Sequence, residues 1–292
     1  LADPATAFGP IADTLAAADL AMVNLETAIT ERGVEEPKQF HFRAPAGTLG
    51  VLAAAGIDVA SMANNHAVDY GPVGLQDTLD AVSRSPVAVV GVGRDEAAAY
   101  APFRTVIAGT PISIFAASQI EDHTFQAWSA TDSGPGIAST ADRARLLAGV
   151  RAAAATDVVV VYLHWGVEGD PCPTALMQQL AADLAAAGAD AIVGTHAHLM
   201  LGAGWLGSSA DAHGAYVAYG LGNFLWWRPQ ASSDDTGVLT LTIQGGHVVS
   251  ADLTPALIDD AGRPQPVTGQ SQAVRRGDFA RLRDCTGLRA QP

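Results

Sequence analysis

The stretch Asp157-Val158-Val159-Val160-Val161-Tyr162-Leu163-His164-Trp165 decides how this chain folds. Its β-branched residues restrict χ1 and suit a pleated surface, so the run predicts a strand. Helical stretches flank it at 141–154 and 174–187. A strand between helices is the unit of a layered α/β protein. The alternation recurs outward. Residues 11–18, 48–55 and 75–82 read as helices, and 20–25, 57–62 and 87–92 as strands. Residues 103–108 and 112–116 form a hairpin-like pair. After the helix 174–187, Gly188 leads into a strand at 191–193, beyond which the pattern turns antiparallel. That part comprises 215–219, then 238–243 turning at Gly245 and Gly246 into 248–253, and a Pro-rich tail. Residues 121–139, rich in Asp, Ser, Thr and Gly, predict a long surface loop that could lie over a site. No internal repeat or low-complexity linker interrupts the chain. The expected organisation is one domain over 1–258, with 259–292 as a C-terminal extension packing on it.

The composition excludes several classes of function. Of the 292 residues 49% are hydrophobic and 16% charged, which describes a soluble globular protein with a sizeable core. No uncharged apolar run approaches the ~18 residues of a membrane span. A net charge of −14, spread along the chain, leaves no basic footprint for nucleic acid. Lys38 is the only lysine; beside abundant arginine and alanine it reads as GC-rich codon usage rather than as function. Cys172 and Cys285 suit a long-range disulfide in an oxidising compartment, or two free buried thiols. The Pro-flanked loop around Cys172 and the polar terminus near Cys285 favour the disulfide. The chain starts with Leu1 and shows no signal peptide, so the first residues of the gene product are expected to precede it.

Four strands deliver metal-type side chains at their carboxyl ends, where the loops of an α/β sheet converge. Glu26 follows the first, Asn65 and His66 the second, His164 the third, and His196 with His198 the fourth. Singly, each has a bland reading. Glu26 could cap a turn, Asn64 and Asn65 could form one, and His164 could be a satisfied core histidine. In an extended segment His196 and His198 would point to the same side and reach one ion or two adjacent ions. Imidazoles with a carboxylate and an amide oxygen suit Zn, Mn or Fe, whereas calcium prefers oxygens alone and structural zinc recruits cysteine. Two ions about 3.5–4 Å apart could activate water and clamp a phosphoryl or acyl centre. His66 would then be free to protonate a leaving group.

The runs Asn24-Leu25-Glu26, Phe42-Arg43-Ala44-Pro45, Ala63-Asn64-Asn65-His66, His164-Trp165-Gly166, Gly194-Thr195-His196-Ala197-His198 and Tyr219-Gly220-Leu221-Gly222-Asn223-Phe224 together resemble the CapA family of bacterial capsule, or poly-γ-glutamate, biosynthesis proteins. The resemblance covers roughly residues 19–243, and the Cys285-Thr286-Gly287-Leu288 run is similar to the actinobacterial branch. It implies a calcineurin-like metallophosphoesterase fold, a four-layer α-β-β-α sandwich with mixed sheets. It further implies Glu26, Asn65, His164, His196 and His198 as metal ligands and His66 as the catalytic histidine. Arg43, Asn64 and Glu168 would fall on the substrate side, where Arg43 and Glu168 equally suit structural ion pairs. The implied cofactor is divalent metal, two ions of Mn, Fe or Zn. The superfamily's first strand ends in a Gly-Asp whose aspartate binds the first metal. Asp3 and Asp13 follow no apolar run, so that strand is expected to precede this sequence, and the second ion depends on it.

Three functions compete at this stage. The first is a metal-dependent hydrolase acting on an extracellular anionic polymer, or on a small phosphorylated or peptidic substrate. The second keeps the metal but abstracts a Cα proton, as a racemase or epimerase does. The third is a non-catalytic polymer-binding assembly subunit. The expected location is outside the cytoplasmic membrane, secreted or tethered by a lipid anchor beyond this segment. Because protein and polymer would both be acidic, metal and Arg43 are expected to supply the local positive charge.

Overall fold

The computed structural model describes residues 6–207, 214–226 and 233–292. The strand Val158–Trp165 lies at its centre, paired in parallel with Thr110–Ser118 on one side and Ala191–His196 on the other. Side chains on a strand alternate between faces, and here the two faces meet different neighbours. Val159, Val161, Leu163 and Trp165 pack with Leu146, Val150, Leu180 and Leu184 from the helices Arg143–Ala153 and Ala175–Ala187. Val158 and Tyr162 pack instead with Val59, Val90 and Ile114. Both faces are buried, which is why the strand reads as an unbroken apolar run.

The six-stranded sheet runs in the order Ala203–Leu206, Ala215–Ala218, Ala191–His196, Val158–Trp165, Thr110–Ser118, Phe103–Ile107. Its four inner strands are parallel and its two edges antiparallel. The second β layer holds a parallel three-stranded sheet, Met22–Asn24, Val59–Ser61 and Ala88–Val90. Beside it stands the long hairpin Asp235–Gln244 with His247–Ile258, edged by Pro264–Pro266. Gly245 and Gly246, at φ 62° and 85°, make the two-residue turn, whose backbone only glycine enters freely. Leu239, Leu241, Ile243 and Val248 bring the hairpin against Trp205 and Tyr216 of the larger sheet. The helices Thr48–Ala54 and Gly71–Val82 cover the outer face of the smaller sheet through Leu49, Leu52, Leu75 and Leu79. The layers are therefore helix, sheet, sheet, helix, the α-β-β-α sandwich expected from the resemblance.

Three expectations need correction. Residues 215–218 pair in parallel with 191–196, and their antiparallel partner is a strand at Ala203–Leu206 that local pattern does not reveal. The segment 121–139 is not a plain surface loop. Asp122 caps a helix at His123–Trp128, and Gly136–Ile137 pairs with Val92–Gly93, leaving Ile137, Ala138 and Ser139 buried. The tail is largely helical, with Gly269–Arg281 running into a 3-10 turn at Leu282–Cys285. From there Cys285 is disulfide-bonded to Cys172, and Arg289 exchanges both backbone hydrogen bonds with Trp205 at 2.8 and 2.9 Å.

Candidate metal centre

The residues expected to converge do so at the carboxyl ends of strands from both sheets. Glu26 stands two residues beyond Met22–Asn24, and Asn24 Nδ2 donates to its Oε2 at 2.8 Å. Asn64, fully buried, joins this loop to the next: its Nδ2 donates to Asn24 Oδ1 and to the Leu25 carbonyl at 3.0 and 2.9 Å. Its Oδ1 accepts from the His66 amide at 3.1 Å. The Asn64 side chain is thus committed within the protein, and it aligns Asn65 and His66.

His164 lies inside the central strand rather than after it. Thr195 Oγ1 donates to the Leu163 carbonyl and so accepts from His164 Nδ1 at 3.1 Å. That tautomer turns the Nε2 lone pair toward Asn65 Oδ1 at 2.8 Å and Glu26 Oε1 at 3.6 Å. His198 is set the same way, with Nδ1 donating to Asn223 Oδ1 at 2.7 Å. Fixing one imidazole nitrogen by a donated hydrogen bond is how proteins orient metal-binding histidines.

His196 and His198 do not converge through strand periodicity. Both occupy left-handed backbone, at φ 94° and 56°, costing about 1–3 kcal/mol each. The turn nonetheless brings their ligand atoms within 4.8 Å of each other and of Glu26. Gly194 precedes this turn for a separate reason: a Cβ there would stand 2.0 Å from Trp165 Nε1, which crosses to donate to the Tyr219 carbonyl at 2.9 Å.

Burial sets the electrostatics. Desolvation raises the Glu26 carboxyl above its usual range, outweighing the pull of His198 and His66, and Glu168 adds to the rise. Desolvation also drives His164 well below the usual imidazole value and His196 to about 3, with neighbouring histidines contributing. Both rings are neutral near pH 7 and offer lone pairs. Two atoms in the cluster, Glu26 Oε1 and His196 Nδ1, are buried without a hydrogen bond among the described residues. Electron-rich atoms facing one another, two of them orphaned, are the donor set that a cation satisfies.

His66 stands beside this set. Its Nδ1 bonds to Asp69 Oδ2 at 2.7 Å, which commits that nitrogen rather than Nε2. Asp69 is wholly buried and also accepts from the Phe42 amide at 2.7 Å and from Lys38 Nζ at 2.8 Å. Phe42 packs on the His66 ring with centroids 4.3 Å apart, and Trp226 lies 5.0 Å from His198.

Arg43 lies outside the cluster, exposed, with its guanidinium 4.8 Å above the Tyr70 ring. Glu168 is exposed on the loop after His164-Trp165-Gly166, within electrostatic reach of Glu26. Asp13 sits in the helix Ala12–Ala16, and Asp3 is outside the described residues. Sequence reading missed Lys38, Asp69, Thr195 and Asn223. Asp69 had a signal, since it follows His66 by three residues; Lys38 had only its uniqueness.

The chain matches the family model described as bacterial capsule synthesis protein PGA_cap over residues 2–226. It is 28% identical over 258 residues to the PGA biosynthesis protein CapA of Bacillus subtilis (strain 168), covering 87% of this chain and 65% of that protein. It is 29% identical over 237 residues to the capsule biosynthesis protein CapA of Bacillus anthracis, covering 79% and 55%. The chain therefore spans less than two thirds of these curated relatives. Among solved structures, a hypothetical protein from Thermus thermophilus shares the fold, with TM-score 0.52, 16% identity and coverage of 90% and 94%.

Proposed function

Since the chain belongs to the bacterial capsule synthesis protein PGA_cap family, we propose that its strand-end cluster is a metal-dependent hydrolase site serving assembly or release of an anionic capsule polymer such as poly-γ-glutamate. The observation that carries this reading is the pair of orphaned buried atoms, Glu26 Oε1 and His196 Nδ1, on residues whose ligand atoms gather within 4.8 Å together with His198.

In this reading Glu26, His196 and His198 hold one divalent ion, and Asn65 and His164 complete the site or hold a second. Mn, Fe or Zn suits the mixed nitrogen and oxygen donors. Such a cation polarises a phosphoryl or acyl oxygen and lowers the pKa of water. The chain's own groups do the rest. His66, with Nδ1 donating to Asp69, accepts or delivers a proton at Nε2. Phe42 and Trp226, packed on His66 and His198, keep solvent from the flanks of the site. Arg43 and Glu168, both exposed, stand on the side a long polymer would approach.

The disulfide supports an extracytoplasmic location. No helix among the described residues is long and apolar enough to cross a membrane. The test is elemental analysis of the purified chain together with hydrolysis of an aryl phosphate. Near-stoichiometric metal and turnover that His196→Ala abolishes are expected. A protein that takes up neither Mn, Fe nor Zn sinks the reading.

A further inference from the structure

We infer that Lys38 is a positioning residue of this site: its ammonium holds Asp69 where it fixes the His66 ring, and simultaneously pins the peptide of Asn65. The inference rests on the site reading above and assigns a task to the chain's single lysine.

The geometry is specific. Lys38 Nζ donates to Asp69 Oδ1 at 2.8 Å and to the Asn65 carbonyl. It lies 3.4 Å from His66 Nδ1, whose proton goes to Asp69 Oδ2. The lysine side chain is only 11% exposed and that of Asp69 is 0% exposed. One ammonium therefore touches the backbone of a candidate metal ligand and the carboxylate that orients the candidate proton donor. These two residues are adjacent in sequence, yet they are secured by different atoms of the site.

The residue type follows from the task. An ammonium is a compact charge with three donors, able to reach acceptors in different directions. A guanidinium would present a planar fork of donors instead. The neighbours hold Lys38 in place. The Glu36 amide donates to the Asp69 carbonyl at 2.9 Å, and the Lys38 amide donates to the Glu36 carbonyl at 2.8 Å. Glu36 Oε2 is bonded to His123 Nε2 at 2.6 Å and accepts from Trp128 Nε1 at 2.9 Å. Thr124 Oγ1 meets the same Asn65 carbonyl at 2.7 Å. The 121–139 segment thus braces the lysine's loop and shares its acceptor. Without Lys38, Asp69 would be a buried carboxylate whose Oδ1 has lost its charge partner, and its grip on His66 would loosen.

Lys38 can be replaced and restored chemically at one position, because both native cysteines are joined to each other. In Lys38→Cys, alkylation of the new thiol with 2-bromoethylamine returns an ammonium on a stem of nearly the original length. Iodoacetamide gives a neutral adduct. Two readouts are taken: the 15N–1H long-range spectrum of His66 in metal-free protein, and kcat and KM for an aryl phosphate after metal loading. We expect Lys38→Cys to lose the single Nδ1–H tautomer, and kcat to fall about 10- to 100-fold with KM within about twofold. The aminoethyl adduct recovers both, and the neutral adduct neither. Lys38→Met, which keeps the stem and removes the charge, must show the same losses. A wild-type His66 spectrum in either variant, or equal recovery by the neutral adduct, overturns the inference. If the unmodified protein proves inactive, the hydrolase reading fails, while the His66 spectrum still decides the role of Lys38.

Discussion

Asn65 Oδ1 stands 2.8 Å from His164 Nε2, across 99 residues of chain, with the Nδ1 proton of His164 committed to Thr195. A cation held by both atoms would bind the folded chain and not the unfolded one, so binding adds to stability. Added Mn or Zn should raise the thermal midpoint. At a concentration ~100-fold above Kd the gain is about 2.7 kcal/mol. His164→Ala and His196→Ala should show little or no gain in the same melts.

Glu26→Gln should separate stability from binding. The carboxylate is held in a desolvating setting with Oε1 unpaired, so its charge costs folding energy in the metal-free state. The neutral isostere should leave the metal-free protein equally stable or more stable, by about 1 kcal/mol, while losing the metal-induced shift. Denaturant titrations with and without metal read both quantities.

Asp157 provides a pH-dependent element far from the site. Its carboxylate accepts from Ser113 Oγ at 2.5 Å, Thr156 Oγ1 at 2.6 Å and Arg104 Nη2 at 2.8 Å, and these bonds lower its pKa to about 2. A depressed folded value stabilises above the unfolded carboxylate range, near ~3.9, and that contribution disappears as pH falls through about 2. Asp157→Asn should cost on the order of 1 kcal/mol at pH 7, solvent screening by the exposed arginine included. Urea midpoints of variant and wild type should begin to converge below about pH 4 and meet near pH 2.

Removing the disulfide should lower global stability, because it closes a loop of 113 residues. The chain-entropy model gives ~4–5 kcal/mol for such a loop, as an upper value. Cys172→Ser with Cys285→Ser should also weaken metal retention. The loop carrying Cys172 reaches the histidine turn through the Gly169 amide, which donates to the Ala197 carbonyl at 2.9 Å. Calorimetry and a chelator competition measure the two effects.

What was legible in the sequence depended on how local its cause was. The strand at Val158–Trp165 and the hairpin turn at Gly245-Gly246 follow from residue type, and the structure keeps both. The histidines of Gly194-Thr195-His196-Ala197-His198 were legible as donors. Their convergence was not, because it comes from positive φ at non-glycine positions, which no periodicity encodes. The parallel pairing of 215–218 depends on a crossover whose register is set by the sheet, and the short strand at Ala203–Leu206 exists only as an edge to it. The helix Gly269–Arg281 has no buried residue, so it lacked the apolar stripe by which helices are recognised. Lys38 looked like codon bias; its task appears only once residues 31–42 fold back across Asp69.

The backbone exchange between Arg289 and Trp205 also has a colloidal meaning. Ala203–Leu206 is the border strand of the larger sheet, and an unguarded border invites pairing with a second chain. Here the C-terminal segment occupies part of that border, and Cys285, four residues before Arg289, is clasped to Cys172. The bridge thus anchors the segment that covers part of this border. Protein kept reduced would leave this sticky border less guarded, and its first visible failure would be turbidity.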